Sequence, residues 1–506
     1  MSAEEKDFDI IKTDDWTLKL KFDLKNKRLL KFIDFLYEHY TYEVEQNKEM
    51  KRKKFGYVPV KRMFHKQGYK MPCKLVWDLI KVLKANGFTF NVDPELVKHN
   101  DKEWVEKAYE NFLKDDFKGH FQPHPHQEKA IKSFLYRKNL FCTIATSGGK
   151  SFIIYALAGV FLREQLKSKD KDKPLKKVLI ITDSVTLVEQ LKSDFLSYTK
   201  KEKFWKDKIK AIHGKSKDSK YDESGLIFIS TYASMKEDDD YFKQFDCVII
   251  DEGHKATTPS ITAILEKCWN AQYIFGMTGS LPSNKESRLN TLKLFSDILP
   301  IIKAKELIEN GQATPVNIEI VTLKHTFRPT FNEYADFQSY YANDKKRLEF
   351  VAADLINKNT NTIALFIRRA YGTNLYEEIK RQVNEKGLNI NVEYVDGEVS
   401  ADERIRIKDM FSEGENTIVV ASYKTMATGV NAPNLRVLAL AQPMKAEVSL
   451  IQALGRTIRN CKDKGKDKAY ILDYVDSYGW GYRHGQERVK LYKSEGHNWT
   501  RRYIVI

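Results

Sequence analysis

One stretch of 12 residues, Leu140 to Ser151 (Leu-Phe-Cys-Thr-Ile-Ala-Thr-Ser-Gly-Gly-Lys-Ser), constrains the chain more than any other. Its apolar opening, Leu140 to Ile144, reads as a buried parallel strand. Small residues, a glycine pair and Lys-Ser follow at once, and then helical spacing over Phe152 to Gln165. A strand that feeds a helix through so tight a turn aims several backbone N–H groups at one spot, and the helix adds the positive end of its dipole. That is a phosphate cradle. Thr146, Ser147, Gly148, Gly149, Lys150 and Ser151 would line it, with Lys150 neutralising the β- and γ-phosphates and the Ser151 hydroxyl ligating magnesium. ATP and Mg2+ are the expected cofactors. The general pattern carries a glycine six residues before the lysine; Ile144 stands there, and Ser147 takes the place of a second glycine found in many such loops.

A chain of 506 residues exceeds the size at which a single core keeps growing, so two to four domains are expected. Apolar content of 42% supplies packed cores and excludes a disordered chain. A net charge of +16, mostly lysine, favours a polyanionic partner such as nucleic acid. The five cysteines (73, 142, 247, 268 and 461) form no Cys-x-x-Cys pair, which points to reduced thiols, a cytoplasmic setting and no zinc site. No apolar run approaches the about 18 residues of a membrane span, and the N-terminus has no signal-like apolar region.

Residues 1–118 carry no nucleotide signal and read as a small α+β accessory domain. Trp16 to Leu24 alternates like a strand, Leu29 to Tyr40 and Leu75 to Asn86 have helical spacing, and Phe88 to Val92 is strand-like. Between them Lys51, Lys53 and Lys54 lie in a basic run followed by Phe55, Tyr57, Phe64 and Tyr69, a mixture suited to phosphates and bases. A solvated loop beside core aromatics explains the same residues.

Residues 119–303 read as a first motor domain. Gln127 opens a helix ahead of the phosphate loop, where its amide can offer a donor and an acceptor to adenine. Strands over Val178 to Thr182 and Leu226 to Ile229 end in hydroxyl residues, among them Ser184, Thr186 and Thr231, which become candidates for a nucleic-acid backbone. The strand Phe245 to Ile250 runs into Asp251-Glu252-Gly253-His254. Two carboxylates at the end of a buried strand are costly unless a cation lies between them. Asp251 would hold the metal and Glu252 would orient and deprotonate the attacking water. Thr278-Gly279-Ser280 closes the next strand, Ile274 to Met277.

Taken in order, Gln127, Ala-Thr-Ser-Gly-Gly-Lys-Ser, Asp-Glu-Gly-His and Thr-Gly-Ser resemble the first motor domain of superfamily-two helicases, and in particular the UvsW family of T-even-like phages. The resemblance implies two tandem RecA-like α/β domains, parallel sheets flanked by helices, behind the N-terminal domain. Residues 304–506 fit the second. Strands over Ile363 to Ile367, Val392 to Val395 and Thr417 to Ala421 alternate with a helix over Asn374 to Glu385, whereas Leu323 to Lys346 reads as irregular and aromatic. Thr425 and Gly429 lie in a loop that in the family touches nucleic acid and nucleotide. In Gln452-Ala-Leu-Gly-Arg-Thr-Ile-Arg459, Arg459 is the expected arginine finger and Arg456 a second phosphate contact. His484, Arg488 and Tyr492 recur at helical intervals, as a binding face or as packing.

The expected activity is that of an ATP-dependent helicase or translocase, acting as a monomer or weak oligomer. The resemblance implies DNA as the track, and branched substrates: forks, Holliday junctions, D-loops and R-loops, the last an RNA–DNA hybrid. An RNA helicase or a restriction-type translocase would share every motor motif, and a passive nucleic-acid clamp is the non-enzymatic alternative.

Overall fold

The computed structural model describes residues 6–44, 57–167, 175–214, 216, 218–235, 237–268, 271–279, 284–313, 316–396, 414, 416–423, 434–442, 469–494 and 497–506. Lys51, Lys53, Lys54, Thr425, Gly429, Arg456 and Arg459 lie outside them. Contacts divide the chain into two units: residues 1–144 with 149–301, and 145–148 with 302–506.

Among the described residues the first unit holds two main sheets and a separate two-stranded pair. Strands β1 (Phe8–Lys12), β2 (Thr17–Lys21), β5 (Lys70–Pro72) and β6 (Phe90–Val92) form the smaller one in the order β5-β2-β1-β6. Strands β3 (Thr41–Glu43) and β4 (Val60–Arg62) pair separately. Helices α1 (Lys27–His39) and α2 (Val76–Ala85) cover the sheet with Leu29, Phe32, Leu36, Leu79 and Leu83, all buried. Asn26 caps α1 by accepting from the N–H groups of Arg28 and Leu29. Further on, Asp101 caps α3 (Lys102–Asp115), and α4 (Pro125–Arg137) follows with a proline in its first turn, where no N–H is needed.

The larger sheet is built from β7 (Asn139–Ile144), β8 (Lys177–Thr182), β9 (Ile209–Ile212), β10 (Ile227–Thr231), β11 (Phe245–Ile250), β12 (Tyr273–Thr278) and β13 (Ile298–Ile302), in the order β13-β7-β12-β11-β8-β10-β9. Adjacent pairs from β7 to β9 are parallel. Such strands are covered on both faces and read as apolar runs; Val248, Ile249 and Ile250 in β11 are fully buried. Helix α5 (Lys150–Lys167) is apolar almost all round, with 11 buried residues from Phe152 to Leu162, and helix α6 (Val185–Tyr198) follows β8.

Helix α7 (Lys285–Phe295) belongs to the motor sheet by sequence, yet its Leu289 and Leu292 complete the hydrophobic core of the N-terminal domain. Polar contacts reinforce the join. Asp78, 2% exposed, accepts from Tyr40 Oη at 3.1 Å and from the Arg288 guanidinium. Tyr42 Oη donates to Asn290 at 2.9 Å and Lys74 Nζ to the Leu294 carbonyl at 2.9 Å, while the Arg137 guanidinium sits 3.9 Å from the Trp77 ring centre.

The second unit holds β14 (Val316–Lys324), β15 (Thr362–Phe366), β16 (Asn391–Val395), β17 (Thr417–Ser422), β18 (Val437–Leu440), β19 (Ala469–Asp476) and β20 (Trp499–Val505), in the order β16-β17-β15-β18-β19-β14-β20, every pair parallel. The stretch expected to be irregular holds the end of β14, helix α8 (Tyr334–Ala342) and the start of α9 (Lys345–Asn357). Asp344 caps α9 by accepting from Arg347 N–H. Helix α10 (Arg369–Glu385) lies between β15 and β16 in sequence, and α11 (Gly479–Ser494) between β19 and β20. The aromatic, basic face of α11 is packing: Arg488, 3% exposed, clasps Asp473 at 2.7 Å, and Tyr492 Oη donates to the same carboxylate at 2.7 Å. Among the described residues no helix is long and apolar enough to cross a membrane.

Candidate nucleotide site

Three strand ends of the first unit's motor sheet converge with the first turn of α5. Strand β7 ends at Ile144, and Lys150 opens α5, an 18-residue helix whose first N–H groups have no partner within the helix. Between them Gly149 adopts φ +78°, and a Cβ there would stand 1.9 Å from Gln127 Nε2. Only glycine meets both conditions. Ser147 is also left-handed, at φ +71°, and Gly148 N–H donates to the Ala145 carbonyl at 2.9 Å. Thr146 stands in the same turn, one residue before Ser147.

Gln127 is 5% exposed on α4. Its Oε1 accepts from His124 N–H at 2.8 Å, and its Nε2 faces the Gly149 backbone. The residue therefore joins the head of α4 to the turn that opens α5.

Strand β11 delivers Asp251, 9% exposed, and Glu252 beside it. Lys150 Nζ donates to Glu252 Oε1 at 2.8 Å and lies 3.8 Å from Asp251 Oδ1. The other Glu252 oxygen accepts from Thr278 Oγ1 at 3.1 Å, and Thr278 Oγ1 is 2.9 Å from His254 Nδ1. With the Thr278 proton committed to Glu252, the His254 Nδ1 proton points at Thr278, so a relay His254–Thr278–Glu252 fixes the carboxylate. Thr278 is the first residue of the Thr-Gly-Ser motif.

Burial alone would pull the Lys150 ammonium down, but Glu252 and Asp251 hold it above its ordinary value. Glu252 is likewise pushed up by burial, and the Lys150 charge together with hydrogen bonding from His254 outweighs that and keeps its carboxyl well below the usual range. Asp251 is pushed up to about 6 by burial, with the Glu252 charge adding to the effect and Lys150 opposing it. Two carboxylates beside one ammonium leave room for a further cation. Glu252 itself has φ +50°, a conformation that costs a non-glycine residue about 1–2 kcal/mol. Such strain persists only where surrounding contacts hold it.

The chain matches two family models, "Type III restriction enzyme, res subunit" over residues 120–283 and "Helicase conserved C-terminal domain" over residues 347–461. It is 27% identical over 464 residues to "ATP-dependent DNA helicase uvsW" of Enterobacteria phage T4, covering 86% of this chain and 88% of the phage protein. The chain is a superfamily-two helicase. Solved structures share its fold. Dbp5 of S. cerevisiae bound to RNA and ADP BeF3 has a TM-score of 0.52 at 13% identity, covering 81% of the helicase and 95% of that chain. The ATP-dependent Type ISP restriction-modification enzyme LlaBIII bound to DNA has a TM-score of 0.56 at 15% identity, covering 82% of the helicase and 33% of that chain. One neighbour holds RNA and the other DNA, so the fold by itself does not choose the nucleic acid.

The helicase hydrolyses ATP, and its motor domains are RecA-like. Of the residues singled out for nucleic acid, Ser184 caps α6 by accepting from Leu187 N–H at 3.3 Å. Thr231 ends β10, 7% exposed, with its hydroxyl 3.0 Å from Ser234 Oγ. Thr186 lies in the first turn of α6. Sequence reasoning left His254 without a role, although its place two residues after Glu252 was visible. It also missed Asp183 and Lys255, a pair 72 positions apart that joins β8 to the turn after Glu252.

Proposed function

We propose that this helicase acts on DNA, with branched molecules as its preferred substrates: forks, Holliday junctions, D-loops and R-loops. The observation that carries the reading is 27% identity, over 86% of the chain, to a phage protein described as an ATP-dependent DNA helicase. The basic excess of +16 is consistent with it, since phosphate contacts dominate affinity for nucleic acid. Cytoplasmic location and a monomeric or weakly associating state complete the proposal.

The donor set suits ATP and magnesium. Lys150 at the mouth of a long helix meets phosphate, the Gly149 turn allows close backbone approach, and the Asp251–Glu252 pair presents more negative charge than Lys150 neutralises. Magnesium held by Ser151 and Asp251 would neutralise charge on the phosphate oxygens. Lys150 leaves Glu252 to meet the β- and γ-phosphates, which frees the carboxylate to orient and deprotonate water. Thr278, backed by His254, then keeps Glu252 aimed. Thr146, Ser147 and Gly148 line the phosphates, and Gln127 reads adenine. Arg459 serves as the arginine finger with Arg456 as a second phosphate contact, and Gly429 allows the backbone near the nucleotide. Ser184, Thr186, Thr231 and Thr425 grip the backbone of the track, so sequence preference is slight.

A panel of forked DNA, four-way junction, R-loop, linear duplex and RNA hairpin, read for ATP turnover and strand separation together, tests this. Branched DNA should give the highest turnover and the fastest separation. Preference for the RNA hairpin would make the chain an RNA helicase; turnover on linear duplex without strand separation would make it a translocase.

A further inference from the structure

The turn after Glu252 is tethered to a neighbouring strand end. Lys255 Nζ donates to Asp183 Oδ2, and Asp183 occupies the single position between Thr182, the last residue of β8, and Ser184, the cap of α6. Asp183 is 13% exposed and Lys255 40%. The second carboxylate oxygen of Asp183 is buried and, among the described residues, has no hydrogen-bond partner. A desolvated acceptor left unpaired calls for a reason beyond stability. The negative charge of Asp183 acts on both Lys150 and Asp251.

The other end of the tether leads to the water-activating carboxylate. Lys255 N–H donates to the Glu252 carbonyl at 3.0 Å and Ala256 N–H to the Gly253 carbonyl at 3.0 Å, closing the 3-10 turn Gly253–Lys255 that begins at left-handed Glu252. The strands are locked to each other as well, through Asp251 N–H and the Ile181 carbonyl at 2.9 Å. A shift at the head of α6 is therefore passed to the backbone of Glu252 through one ion pair and one short turn.

We propose that Asp183 and Lys255 are positioning residues that couple the nucleic-acid contacts at the head of α6 to the orientation of Glu252. This rests on the reading of Ser184 and Thr186 as contacts to the track. Engagement of a backbone phosphate there settles Asp183, Asp183 holds Lys255, and the turn sets Glu252. The pair acts through the turn that carries Glu252, so its loss acts on kcat and leaves ATP affinity in place.

The test uses the full chain with a single-stranded DNA oligonucleotide as probe, and Lys255→Met, Lys255→Arg, Asp183→Asn and the double variant Asp183→Asn/Lys255→Met. Lys255→Met should lower DNA-stimulated kcat about 10-fold, with KM for ATP moving less than about 3-fold. Lys255→Arg should restore kcat to within about 3-fold of wild type, and the double variant should be no worse than the poorer single one. Wild-type kcat in Lys255→Met, failure of Lys255→Arg to rescue, or losses that multiply in the double variant would each overturn the coupling. Lys255 is partly exposed, so its variants decide the matter even if Asp183→Asn does not fold. A wild-type protein whose ATPase ignores DNA and RNA alike would instead overturn the helicase reading, and the coupling with it.

Discussion

Lys150 has two partners to serve. Its Nζ is bonded to Glu252 Oε1 at 2.8 Å, and the proposed chemistry needs both groups elsewhere. The Thr278 hydroxyl then becomes the contact that keeps Glu252 from wandering once Lys150 has left. Thr278→Val should accordingly lower kcat for ATP about 10-fold while KM changes little, as steady-state kinetics would show. Gly149→Ala should abolish nucleotide binding, measured by equilibrium titration, because the methyl group meets Gln127 Nε2 and the backbone stays left-handed. At this scale much of the site was legible. Lys150, Asp251 and Glu252 stand at strand ends in contiguous motifs, and a run such as Cys-Val-Ile-Ile followed by two carboxylates has few bland explanations. The Asp183–Lys255 pair was not legible, because it depends on β8 and β11 being neighbours, and no spacing in the chain encodes that.

Among elements, α7 is the least expected. It follows the Thr-Gly-Ser motif by only a few residues, and it offers Leu289 and Leu292 to the N-terminal core and Arg288 to buried Asp78. Arg288→Ala leaves Asp78 with Tyr40 and His39, and should cost about 1–3 kcal/mol of stability, read from denaturant unfolding. In the second unit, Asp476 gathers His325 at 2.7 Å, Tyr341 at 2.6 Å and fully buried Arg347 at 3.1 Å. Burial pulls His325 down, but Asp344 and Asp476 outweigh it and raise the imidazole above its ordinary value. The stability this lends is complete below about pH 6.5 and is lost as pH rises through the folded value. His325→Gln should therefore flatten the dependence of Tm on pH above neutrality and lower Tm most at acid pH. Elements with continuous apolar runs were legible from sequence, β11 to the residue. Helix α8 was not, since Tyr334, Phe337, Tyr340 and Tyr341 look like loop aromatics until β14 and α10 provide something to pack on.

For the whole molecule, the order of motifs and the alternation of strand and helix were enough to expect two RecA-like domains, and both parallel sheets are present. Strands β9, β13, β14, β18 and β20 lay outside that expectation. Charge is also a property of the whole. Replacing Lys51, Lys53 and Lys54 by alanine should weaken fork binding and reduce the slope of log affinity against log salt by up to about 3, one per lost phosphate contact. In the proposed mechanism one ammonium at the head of α5 and two carboxylates just past β11 drive the helicase. Measuring ATP binding and steady-state turnover of Glu252→Gln on forked DNA tests it most directly. Nucleotide affinity should stay close to wild type while turnover falls at least about 100-fold; turnover near the wild-type rate would rule out a water-activating role for Glu252.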